Sequence, residues 1–311
     1  GAGNVAVGYR TLQSIQTGAR NVVIGHGAMD AADGAESDNI AIGYDAMGDM
    51  DNNGALKNIA IGSYAGNNMA GMANVRNVFM GYDSGGGVWA NNASSYNTGV
   101  GNYSLAGPQD GALGNAAFGY AAGYAITAGT YNTMMGYDAG NAITGGDYNV
   151  CIGYASDAAA TANNQIAIGN GAVTDAANKG RWGNSSVSTN NIQTDWTVDS
   201  DRRIKDDIKD SDLGLSFINS LKPRTFIKIH PADYPEPLLE KRYKSGGSNY
   251  DDDKNEIIRD EFEEKVWNGL IAQEVKESMD SLGVDFSGWG EESNGKQGIT
   301  YSTIVMPLIK A

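Results

Sequence analysis

Cysteine, histidine and positive charge are all scarce in this sequence. A single cysteine, Cys151, excludes an internal disulfide framework and any multi-cysteine zinc site. It stands in a small-residue slot of a repeat, where a buried core thiol is expected. Only two histidines occur, His26 and His230, in parts of the chain with different composition, which argues against a histidine-based catalytic or metal site. Lysine and arginine number 22 against 37 acidic residues, a formal net charge of −15, so a phosphate-tracking nucleic-acid surface is not expected. No apolar run approaches the roughly 20 residues that would span a bilayer. No cofactor and no metal are expected.

Glycine is what the chain has in excess, and it is unevenly spread. Residues 1–199 hold 34 of the 43 glycines and 21 charged residues; the remaining 112 residues hold 9 glycines and 38 charged residues. A break that sharp marks a domain boundary. Before it, one unit recurs: Asn, any residue, a small residue, an aliphatic, Gly, then often Tyr. Examples are Asn4 to Tyr9, Asn39-Ile-Ala-Ile-Gly43-Tyr44, Asn58-Ile-Ala-Ile-Gly62 and Asn149 to Tyr154. A tenth copy, Gln165-Ile-Ala-Ile-Gly169, puts Gln in the Asn slot, and the spacing throughout is 16 to 20 residues. Glycine every few residues disfavours helix by about 1 kcal/mol each. Short strands closed by glycine, joined by Asn/Asp/Gly turns and stacked in parallel, fit better, as in a β-solenoid or β-roll. Asparagines at one slot would then form a ladder, and His26 would be a surface rung residue in a tyrosine slot.

In Ile59-Ala60-Ile61 both faces of the strand are apolar, whereas a lone solenoid needs only its inner face so. A second face of small apolar residues points to packing against other copies of the chain. Ten rungs at about 4.8 Å make a rod about 50 Å long. The repeats resemble the heads of trimeric autotransporter adhesins and, more closely, those of phage and other viral tail fibres.

Residues 171–199 read as an extended β connector, because Ile192, Trp196 and Val198 need burial. Beyond it, Leu213, Phe217, Ile218 and Leu221 share a helical face before Pro223, and Arg224–Ile229 reads as a strand. Residues 230–265 read as a Pro-rich, then acidic, insertion. Ala272, Val275, Met279 and Leu282 mark a second helix, Ile299–Tyr301 a short strand, and Ile304–Ile309 the start of a last helix.

That order, with Ser200-Asp-Arg-Arg-Ile-Lys205, Leu221-Lys-Pro223, Gly269-Leu-Ile-Ala-Gln-Glu-Val275 and Tyr301-Ser-Thr-Ile-Val, resembles the intramolecular chaperone auto-processing domain of phage tail spikes and fibres. The resemblance implies a domain that trimerises, assists folding of the β-rich fibre upstream, and releases itself with a Ser–Lys dyad. Carried onto this chain, the cleaved bond is Asp199–Ser200, the nucleophile is Ser200 and the base is Lys205. Arg202, Arg203 and Gln273 are candidate supporting residues. Trp267 stands where the family often has His or Tyr. Read without the resemblance, Ser200 is a helix cap ahead of Asp201.

The expected fold class is mainly β: a trimeric β-solenoid shaft over residues 1–170, the connector 171–199, and a small α+β chaperone domain over 200–311 with its last helix cut short. The expected setting is a virion tail fibre, folded in the host cytoplasm and involved in host attachment. The expected partners are two further copies of the chain, a host receptor of glycan or protein, and upstream fibre or baseplate proteins. A bacterial trimeric surface adhesin is the alternative, although such adhesins end in a membrane-anchoring barrel. A glycan-degrading spike would need paired carboxylates, for which the repeats offer no evident candidates. The run Asp251-Asp-Asp253-Lys-Asn255 begins like a calcium loop but has Glu256 where Gly is needed and Phe262 where Glu is needed, so a solvated acidic loop is expected.

Overall fold

Among the described residues, eleven three-residue strands stack into one parallel sheet, in chain order. They are β1 (Val5–Val7), β2 (Val22–Ile24), β3 (Ile40–Ile42), β4 (Ile59–Ile61), β5 (Val78–Met80), β6 (Thr98–Val100), β7 (Ala116–Phe118), β8 (Thr133–Met135), β9 (Val150–Ile152), β10 (Ile166–Ile168) and β11 (Gly180–Trp182). The computed structural model describes residues 2–51, 54–70, 73–89, 91–187, 191, 199–247, 249–262, 264–292 and 294–311. Each strand is one rung of a β-solenoid, aligned residue for residue with the next, as in Ile40↔Ile59, Ala41↔Ala60 and Ile42↔Ile61.

The repeated asparagine forms the expected ladder. The backbone N–H of Asn39 donates to Asn21 Oδ1 and that of Asn58 to Asn39 Oδ1, both at 2.9 Å. The series runs on through Asn77, Asn97, Asn115, Asn132 and Asn149 to Gln165. Each asparagine amide nitrogen also donates to a carbonyl of the following turn, as Asn77 Nδ2 does to Ser94 O at 3.0 Å, whereas Gln165 Nε2 reaches back to Ala162 O at 3.0 Å. One buried side chain thus satisfies two backbone groups, which explains why a primary amide recurs there.

The glycine closing each strand answers to two constraints. Gly62 has φ +135°, and a Cβ there would lie 2.4 Å from Gly81 O on the next rung. Beyond it, nine aromatic rings from Tyr9 through His26 to Tyr154 form a column, one per rung, with centroids 5.0–5.9 Å apart, some stacked and some edge-on.

The strand faces are arranged opposite to the sequence expectation in one respect. The small middle residue is the interior one: Ala41, Ala60, Ala117, Cys151 and Ala167 are fully buried. The flanking aliphatic residues face outward, with Val7 57 % and Met135 47 % exposed. The turns behind the strands also deliver large side chains into the interior, Met29, Met47, Met50 and Met69 behind β2 to β4 and Leu105, Ile126 and Ile143 further along, which leaves room only for small groups on most strands. Where the strand residue is large it meets a small neighbour: Phe79 lies beside Gly99 in register and packs edge-on against Trp89. The apolar outward stripe is therefore made of large side chains, not small ones.

Strand β11 carries no copy of the repeat. Arg181 takes the inward register position opposite Ala167, and its guanidinium reaches Gly183 O and Val173 O. A polar residue there suits the end of an array.

The chain divides into two compact units, Gly1–Asn184 and Ser185–Ala311. In the second, α1 (Leu215–Ser220), α2 (Ala272–Leu282) and α3 (Val305–Lys310) accompany three antiparallel pairs. These pair β12 (Arg224–Ile227) with β15 (Val266–Gly269), β13 (Tyr250–Asp251) with β14 (Glu256–Ile257), and β16 (Trp289–Glu291) with β17 (Gln297–Ile299). The buried core is Phe217, Val275, Met279 and Phe286, closed by Leu213, Ile218, Leu221 and Ile299 among others. The strand expected at Ile299–Tyr301 ends at Ile299, and Tyr301 opens a 3-10 turn whose ring hydroxyl accepts from Leu270 N at 2.8 Å. The run Asp251–Asn255 is largely exposed, as expected for a solvated acidic loop, but the insertion at residues 230–265 has a buried centre. Arg242 and Tyr243 are buried there, and Arg242 bridges Glu240 and Asp260 at 2.8 and 2.6 Å. Burial and a hydrogen bond to Asp260 push the Tyr243 hydroxyl well above the usual phenol range. Of the connector, Ile192, Trp196 and Val198 lie outside the described residues.

Candidate functional site: the Ser200–Lys205 turn

Asp201 organises the residues around Ser200. Its backbone is extended (φ −66°, ψ 135°), and its carboxylate accepts from Arg203 N at 2.8 Å, the N-cap geometry of a 3-10 turn spanning Arg202–Ile204. The turn ends at Lys205, which returns to extended backbone. Reversing the chain in this way brings Lys205 Nζ to 2.7 Å from Ser200 Oγ, with the amine donating. The cap is thus Asp201 and not Ser200, which leaves the serine hydroxyl to the lysine. Sequence reasoning missed this role, although an Asp whose side chain accepts from the N–H two residues on is ordinary turn chemistry.

The supporting residues are placed unequally. Arg203 is occupied: its guanidinium grips Asp201, with Nη2 2.6 Å from Oδ2. That hydrogen bond holds the Asp201 carboxyl below its usual range and raises the guanidinium. Arg202 sits exposed within the turn. Gln273 is exposed on the first turn of α2, and no hydrogen bond joins it to Ser200 or Lys205. Its neighbour Glu274 makes a bidentate pair with Arg224 at 2.7 and 3.0 Å, fixing α2 to β12. Trp267 on β15 lies beneath two ammonium groups, Lys228 Nζ at 4.3 Å and Lys265 Nζ at 4.9 Å from the ring centre.

Asp199, Ser200 and Lys205 are all exposed on the single chain. So are Ile204 (66 %), Met306 and Ile309 (75 %), an unusual amount of apolar surface for a small domain.

The fold is therefore a mainly β solenoid followed by a small α+β domain. Residues 200–284 match the model of a peptidase family described as chaperone of endosialidase. The matched region begins at Ser200. A domain similar to that chaperone thus follows β-solenoid repeats in this chain. No curated protein matches the chain.

Proposed function

We propose that this chain is a segment of a phage tail fibre or spike whose C-terminal domain, residues 200–311, is an intramolecular chaperone that trimerises, assists folding of the solenoid and cuts itself off at Asp199–Ser200. The observation that carries this reading is the family match starting at Ser200, the residue whose hydroxyl lies 2.7 Å from Lys205 Nζ. The apolar stripe along the solenoid and the exposed Ile204, Met306 and Ile309 support assembly from several chains. Host attachment, by the repeats or by parts joined to them, is the corresponding role.

In the proposed reaction Lys205 takes the proton of Ser200 Oγ as the oxygen attacks the carbonyl carbon of Asp199. The Asp199–Ser200 C–N bond breaks, the Ser200 nitrogen leaves as the amine with that proton, and an ester to Oγ remains. Water hydrolyses the ester, giving an Asp199 carboxylate and a domain that starts with Ser200. Lysine acts as a base only when neutral, and burial favours the neutral form. Ser200 and Lys205 are exposed on the single chain, so the reading requires neighbouring chains of the trimer to cover them. Cutting is then conditional on assembly. With Arg203 held by Asp201, Arg202 is the better candidate to meet the developing oxyanion.

The test is expression with and without residues 200–311. The whole chain is expected to give a soluble particle of three chain masses by native mass spectrometry. The solenoid expressed alone is expected to aggregate, because parallel pairing over long sequence separations is slow and leaves edges open. A stable soluble monomer from the whole chain, or efficient folding of residues 1–199 alone, contradicts the reading.

A further inference from the structure

The insertion between His230 and Lys265 grips a piece of chain that lies upstream of the proposed cut. Within the C-terminal unit, Ser185 N–H donates to Glu240 Oε1 at 3.2 Å. Ser186 Oγ accepts from Arg242 Nη2 at 3.1 Å and lies 3.5 Å from Asp260 Oδ2. These receiving groups are also held by one another. The Arg242 side chain is only 6 % exposed and is paired on one edge with Glu240 and on the other with Asp260. Asp260 in turn takes the Tyr243 hydroxyl, and its backbone carbonyl lies 3.1 Å from His230 Nε2. Next to these contacts, Val187 lines a cavity of about 610 Å³ together with Phe262, Trp267, Lys228 and Lys265. A rigid polar receptor loses little side-chain entropy when it binds.

We propose that this insertion is a clamp that holds the two cleavage products together without a covalent bond. Ser185–Val187 belongs to the upstream product and the insertion to the downstream one, so cutting Asp199–Ser200 leaves their contacts intact. Release of the chaperone is then a second step. It depends on breaking charge-assisted hydrogen bonds that are partly open to solvent, which salt weakens. In a trimer three clamps act at once, and their avidity delays release further. The proposal rests on the cleavage reading of the preceding subsection.

The experiment takes the full chain after cleavage and reads cutting on a denaturing gel and association by size exclusion, at about 0.1 M and about 1 M salt. The wild-type fragments are expected to co-elute at the lower salt and separate at the higher. The double variant Ser185→Pro, Ser186→Ala leaves residues 200–311 chemically unchanged while removing the N–H to Glu240 and the hydroxyl between Arg242 and Asp260. It is expected to cut to the same extent but to bind its product at least about ten-fold more weakly, the scale of one charge-assisted hydrogen bond. Arg242→Met is expected to do the same. Wild-type fragments that separate at the lower salt overturn the clamp, and so do variants that co-elute as the wild type does. If no self-cleavage occurs, a protease site inserted within residues 188–198 supplies the cut, and the same outcomes decide the clamp independently of the autoprotease.

Discussion

Asn77→Ala is the substitution that probes the solenoid most sharply. Asn77 lies between β4 and β5; its Nδ2 donates to Ser94 O at 3.0 Å and its Oδ1 accepts from Asn97 N at 2.9 Å. Truncation leaves that carbonyl and that N–H buried without these partners, at about 1–3 kcal/mol each, so roughly 2–6 kcal/mol per chain. Asn97 Nδ2 loses less, because it keeps Ala112 O at 2.9 Å. A solenoid couples mainly nearest neighbours, so the damage should stay local. Native-state hydrogen exchange measured strand by strand reads it directly. Even the lower figure, about 2 kcal/mol, corresponds to about 30-fold faster exchange in β5 and β6, while β1 and β10 should hold their wild-type rates. Tyr120→Ala, which removes one exposed ring of the aromatic stack, is the control and should change exchange far less. Wild-type rates in β5 and β6, or an equal acceleration in every strand, would refute the ladder as the source of local stability.

Two further outcomes follow from the same packing. Gly62→Ala should abolish soluble assembly or shift the unfolding midpoint downward by several degrees, because its φ is +135° and the new methyl meets Gly81 O; an unchanged midpoint in a thermal melt would count against the glycine ladder. Cys151 is fully buried and its thiol is pushed up to about 12 by burial, then by Asp157, so it should resist thiol reagents at pH 8 until the protein is denatured. Since only the thiolate reacts, labelling of the native protein should rise only well above that pH, and prompt labelling at pH 8 would place the residue elsewhere.

The solenoid was legible because its repeat states its own chemistry: an amide at one slot and a glycine four residues on each do the same task on every rung. What the pattern left open was direction. In Ile59-Ala60-Ile61 both faces are apolar, and alternation alone does not say which is inside; the methionines that fill the interior from the turns decide for Ala60. Strand β11 was hidden because Arg181 occupies the small-residue position and is satisfied by backbone carbonyls, a bond that no sequence pattern announces. The helices around Phe217 and Met279 were readable from their 3.6-residue period. The clamp was not, since Arg242 and Asp260 read as ordinary surface charges until folding buries one against the other. At the junction, the separation of Ser200 and Lys205 says little about contact until the turn capped by Asp201 is known.

The reading of the chain as a fibre segment carrying its own detachable chaperone meets its most direct test in the masses of the products. Freshly expressed protein should resolve into a 199-residue fragment and a 112-residue fragment, the smaller beginning with Ser200. Ser200→Ala should stay full length for lack of a nucleophile. Lys205→Ala should slow the cut strongly, and Lys205→Arg should not restore it, because a guanidinium cannot serve as a base near neutral pH. Cleavage at another bond, or undiminished cleavage in Ser200→Ala, would contradict it.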